Sequence, residues 1–123
     1  MKGLLYKWLV FVFLLINTAV FAQEKASSKL ANELFNDGNF SAALAQYLKL
    51  LEENPDESKL NYRVGVCYLN TNIDKSNAIP YFEKVLTKPN PEPNTIYLLG
   101  RAYHFAYRFP EAIKMYKKFK TLN

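Results

Sequence analysis

The sequence predicts an all-α protein, an α-solenoid of three helix–turn–helix units behind a separate apolar leader. Three observations predict it. A pattern of small and aromatic residues occurs three times, at a period of 34–35 residues. Apolar residues within the units fall three and four apart, as Ile96, Leu99 and Tyr103 do, which lines one face of a helix. Prolines gather at unit ends and helix starts, where a backbone N–H is dispensable. A fixed period of this length means stacked supersecondary units that bury their apolar faces on one another.

Residues 1–22 stand apart. Lys2 and Lys7 make a short positive start, and Leu9 to Ile16 is an unbroken apolar run of eight. Val20-Phe21-Ala22 then puts small residues at the −3 and −1 sites. This is the pattern of a secretory signal peptide cleaved after Ala22, leaving 23–123 as the mature domain. The rival reading is a membrane anchor. Trp8 to Ala22 is only 15 residues, interrupted by Asn17 and Thr18, whereas a spanning helix needs about 20 apolar residues. No cysteine lies near the cleavage site, so lipid attachment at a new N-terminal Cys is not expected.

The units run over about 24–57, 58–92 and 93–123. In the first, Leu30-Ala31-x2-Leu34 leads to Ala43-x3-Tyr47, and Pro55 closes it before the Asp56-Glu57-Ser58 turn. In the second, Val64-Gly65-x2-Tyr68 leads to Ala78-x3-Phe82. Ser76 is the expected N-cap, which would put Pro80 at the fourth helical residue and distort the helix start without breaking it. Pro89, Pro91 and Pro93 exclude helix at the end of this unit. In the third, Ile96-x2-Leu99-Gly100-x2-Tyr103 leads to Ala112-x3-Tyr116, with helices expected over Thr95–Ala106 and Pro110–Leu122. Ala31, Gly65 and Gly100 occupy one equivalent point, and Ala43, Ala78 and Ala112 another. Helices cross closely only where such side chains are small. Tyr47, Phe82 and Tyr116 fill the gap towards the next unit.

Composition narrows the function classes. The formal charge of +5 falls to +3 once Lys2 and Lys7 leave with the leader. Residues 24–57 carry seven acids against three lysines, and residues 97–123 carry six bases against Glu111 alone. Export argues against nucleic acid as the partner of the basic end, and charge runs of this kind ordinarily make solvated faces. A single cysteine, Cys67, excludes an internal disulfide and reads as a small buried hydrophobe. A single histidine, His104, has no His/Cys cluster to complete a metal site. There is no phosphate-cradling glycine loop, and the adjacent acids Glu52-Glu53 and Asp56-Glu57 lie at a helix end and turn. No catalytic residue, cofactor, metal or small-molecule substrate is expected, and the chain reads as non-enzymatic.

The repeated pattern resembles the tetratricopeptide repeat over essentially all of residues 24–123. The units depart from it at Ser27 and Leu34, where aromatics are usual, and at Asn90, where proline is usual. The stretches 60–70, 75–84 and 97–104, with the leader ending in Ala-Gln, resemble the N-terminal repeats of Bacteroidota envelope proteins. In that family the repeats precede a β-propeller-like segment and an OmpA-like peptidoglycan-binding domain, and some members belong to gliding and type IX secretion machinery.

The resemblance implies a periplasmic protein, in some cases outer-membrane associated, that holds an envelope protein or peptide in a concave groove lined by the first helix of each unit. That groove would carry Asn32, Phe35 and Asn36 from unit one. Tyr62, Val66, Leu69 and Asn70 come from unit two, and Tyr97, Arg101, His104 and Phe105 from unit three. Amides bond peptide backbone, and rings and arginine act as anchors. Chaperone-binding repeats clamp a C-terminal carboxylate at positions equivalent to Ser28, Asn32, Arg63, Asn94 and Leu98; only Asn32 matches, so that clamp is not expected. The alternative is a truncated N-terminal piece of a larger OmpA-like protein, with a bracing role only. Peptidoglycan association would then belong to a downstream domain absent from this sequence.

Overall fold

A computed structural model describes residues 2–122, with side chains for 2–13 and 28–122. Among the described residues the protein is all-helical, without strands. The order is α1 (Lys2–Asn36), α2 (Phe40–Glu53), α3 (Ser58–Leu69), a 3-10 turn (Lys75–Ala78), α4 (Ile79–Leu86), α5 (Thr95–Phe105) and α6 (Phe109–Lys120). Each α-helix packs on the next in sequence. Two apolar clusters result. One joins Ala31 of α1 to Ala43, Leu44 and Tyr47 of α2 and Val64 and Cys67 of α3. The other joins Leu69 to Ile79 and Phe82 of α4, Leu99 and Ala102 of α5, and Ala112 of α6.

The small residues sit where helices cross. A Cβ added at Gly65 would lie 2.6 Å from the Phe82 ring, and one at Gly100 would lie 2.7 Å from the Tyr116 ring. The ring at the aromatic position therefore lies over the small residue of its own unit's first helix, not only in the gap beyond it.

The turns show why the chain reverses where it does. α1 ends on Gly38 at φ +76°, with Asn39 N–H donating to Leu34 C=O at 2.8 Å and Gly38 N–H to Phe35 C=O at 3.1 Å. This left-handed cap suits glycine because it has no Cβ to clash. Asn39 then caps α2, its Oδ1 accepting from Ala42 N–H at 3.4 Å. α5 ends in the same hydrogen-bond pattern, but Tyr107 holds the left-handed position at φ +58°.

In the middle unit Asp74, not Ser76, is the capping residue. Its carboxylate accepts from Ser76 N–H at 2.9 Å, starting the 3-10 turn. α4 proper begins at Ile79, which puts Pro80 in its first turn, where no donor is lost. Lys75 bridges this connection, its Nζ donating to Leu69 C=O and Thr71 C=O at 2.8 Å each. A second clip joins units: Pro55 C=O accepts from buried Asn61 and from Lys84, both at 3.0 Å. Lys84 also pairs with Asp56 at 3.0 Å and draws its carboxyl below the usual range, first by hydrogen bonding and then by charge.

α1 extends as one helix from Lys2, and the side chains of Leu4, Leu5, Trp8, Leu9 and Phe11 are exposed along it. Among the described residues no helix is long and apolar enough to cross a membrane. The proposed processing point after Ala22 lies among residues whose side chains are outside those described.

Candidate functional site

α5 gathers the third-unit groove residues. Tyr97, Arg101, His104 and Phe105 follow one another at helical spacing and, with Tyr116 of α6, line an open cleft of about 220 Å3. Tyr97 is held by rings on α6: its centroid lies 5.8 Å from Tyr116 and 5.4 Å from Phe119. His104 lies 5.6 Å from Phe109, edge to face, and Lys75 Nζ sits 5.4 Å above the Phe105 ring. Arg101 forms no ion pair among the described residues. The acid of this unit, Glu111, is taken by Arg108 at 2.9 Å. The cleft therefore offers an uncompensated guanidinium between aromatic walls, which can hydrogen-bond and stack against an incoming side chain. Burial, and then Tyr97 beside it, raise the Tyr116 hydroxyl pKa.

The other expected groove residues fare differently. Asn32 accepts from Tyr47 O–H at 2.9 Å and also from the Arg63 guanidinium, which donates to Tyr47 Oη at 2.8 Å. Arg63 lies 5.2 Å over the Phe35 ring and 5.7 Å from Tyr47. Asn32 and Phe35 thus belong to a half-buried node that ties α3 to α1 and α2. Tyr62 donates to Asn94 Oδ1 at 2.9 Å and meets Phe82 edge to face at 6.2 Å. Asn70 is exposed, but its Nδ2 donates to Val66 C=O at 2.8 Å, closing the end of its own helix. Val66 is half-buried against the second cluster, and Asn36 is exposed.

Leu69 is a correction. It is buried in the second cluster and offers nothing to a groove. Its equivalent 35 residues on is His104, which is exposed. The two share a register position, and residues of α4 and α5 cover Leu69 in its cluster.

Sequence reasoning missed three contributors. The repeat pattern gives Tyr116 a packing role, and in the structure it also walls the cleft. Arg63 orders the first-unit node, whereas its sequence position marks it only as a mismatch to the carboxylate clamp. Tyr107 is exposed and stands where unit one has Gly38. A tyrosine there costs about 1 kcal/mol or more in backbone strain, and its ring meets Phe109 at 6.1 Å. Its signal was legible: an aromatic at the one turn position that asks for glycine.

The remaining reactive groups are quiet. Cys67 is fully buried, and burial pushes its thiol up to about 12, so it stays protonated near neutral pH. Burial and the Glu83 carboxylate, which accepts its O–H at 2.5 Å, raise Tyr103 to about 12. No group of His, Cys, Asp and Glu among the described residues is placed to hold a metal ion. No protein-family model matches this chain.

Proposed function

We propose that this protein is a non-enzymatic interaction module of the tetratricopeptide-repeat type, exported to the periplasm, which holds a segment of a cell-envelope protein in the cleft of its third unit. The observation that carries this reading is the cleft itself. Tyr97, His104 and Phe105 of α5 converge with Tyr116 around Arg101, which has no acid partner among the described residues, and exposed rings there would otherwise cost solubility. The repeat assignment is supported by the equivalent seating of Phe82 on Gly65 and Tyr116 on Gly100. Export is supported by the exposed apolar start of α1, a surface that water does not favour and that cleavage after Ala22 would remove. The expected groove narrows accordingly. Asn32, Phe35 and Tyr62 act within the fold, and Tyr97, Arg101, His104 and Phe105 face the partner.

The test is a Tyr97→Ala, Arg101→Ala double variant in the producing cell. Truncating central anchors typically costs 2 kcal/mol or more, roughly a 30-fold loss of affinity. Helical circular dichroism should be retained, and envelope partners recovered by crosslinking with wild type should be lost. Protein recovered from that fraction should begin at Gln23. Equal recovery of the same partners by both proteins would show that the cleft is not the binding surface, and intact Met1 in a membrane fraction would overturn the export reading.

A further inference from the structure

Within the chain, each unit is covered by the first helix of the next: α3 packs on α2 and α5 packs on α4. α6 is the equivalent of α2 and α4, and α1 of α3 and α5; among the described residues no helix packs on the outer face of either. The side chains at these ends carry the mark of that. Leu44 and Ile79 are buried beneath the following helix, and their equivalent in α6, Ile113, is 51 % exposed. Val64 and Leu99 are buried against the preceding helix, and their equivalent in α1, Leu30, is 44 % exposed. The offsets are those of the repeat: 44, 79 and 113 in one set, 30, 64 and 99 in the other.

Around these two apolar seats the charges differ: α6 carries bases alone, and α1 carries Glu33 beside Lys29. Buried Cys67 and Ala102 correspond to exposed Glu33 on α1. Leu48 and Leu51 of α2 correspond to exposed Lys117 and Lys120 of α6. Lys117 and Lys120 form no ion pair among the described residues, and Glu33 makes only a loose 3.8 Å contact with exposed Lys29. The bases and acids cannot neutralise each other within one chain, because the middle unit lies between them. Two copies can bring them together.

We infer that copies of this chain associate head to tail, α6 of one on α1 of the next, with Ile113 against Leu30 and Lys117 and Lys120 facing Glu33. The contact repeats between molecules the helix packing that exists twice within each. It joins unlike surfaces, so it is heterologous and can add further copies head to tail beyond a dimer. Its charged rim makes it sensitive to ionic strength. This goes beyond the cleft reading and is scored independently of it, because its variants leave Tyr97 and Arg101 in place and only assembly of this chain is read.

The experiment is sedimentation velocity on the purified full chain in non-ionic detergent, over a concentration series at low and high salt. Wild type should form concentration-dependent dimers and larger species that dissociate at high salt. Lys117→Glu, Lys120→Glu should weaken this by about tenfold or more, because like charges are then opposed across the contact. Glu33→Lys alone should weaken it too, and the three substitutions in one chain should restore it. A wild type that remains monomeric at low salt overturns the inference. So does association indifferent to the lysine reversal, which would place the contact on the apolar start of α1, or failure of the triple variant to recover while its circular dichroism matches wild type.

Discussion

Phe82→Ala is expected to destabilise the protein by about 3–5 kcal/mol, the range for deleting a fully buried aromatic side chain. Phe82 has no exposed surface, covers Gly65 and meets Tyr62 edge to face. Its loss opens a cavity between α3 and α4 that the surrounding helices cannot close without moving Ile79 and Leu99 in the same cluster. A domain of this size has only about 5–15 kcal/mol in hand, so the variant should sit near the edge of folding. Tyr116→Ala at the equivalent position of unit three is expected to cost distinctly less, because Tyr116 is half-exposed and borders an open cleft. Urea unfolding followed by circular dichroism gives both values. Equal losses would show that the third unit is packed as tightly as the second, and that the cleft is no weak point in the stack.

Gly65→Leu should be the most damaging of the glycine substitutions. A leucine removes about 1 kcal/mol of helix-propensity penalty. It also drives its Cβ to 2.6 Å from the Phe82 ring, which buried neighbours hold in place. Overpacking of this kind costs typically 1–3 kcal/mol and sometimes more, and here the upper end or beyond is expected. Gly100→Leu meets Tyr116 at 2.7 Å and Met115 Cβ at 3.2 Å. Tyr116 has the cleft to swing into, so this variant should lose about 1–3 kcal/mol. Thermal melts in parallel rank the two. A Gly100→Leu melt matching wild type, beside a strongly lowered Gly65→Leu melt, would mean that the outer ring yields freely. Unchanged melts for both would contradict the crossing geometry.

The all-helical fold was legible from spacing alone. Small residues 34–35 apart marked the crossings, and the three prolines in 89–93 marked a break. Helix ends were less legible, because caps depend on a few hydrogen bonds. The placement of Pro80 turned on whether Asp74 or Ser76 accepts the first N–H, and sequence favours both as caps. The lining of the third-unit cleft was legible because α5 is regular and its outward residues repeat every three to four. The first-unit part was not. Asn32 and Phe35 lie on the same face by register, but Arg63, 31 residues beyond Asn32, reaches back and engages both.

The sequence by itself determined the helices, their pairing and the small–aromatic contacts within each pair. These follow from periodicity and from the sterics of close helix crossings. The tertiary structure alone decided which equivalent residues are free. Leu69 and His104, Leu44 and Ile113, and Val64 and Leu30 share register positions, and one member of each pair is buried while the other is exposed. Burial depends on which helix packs over a position in the fold, and a residue type at a recurring spacing carries no record of that packing.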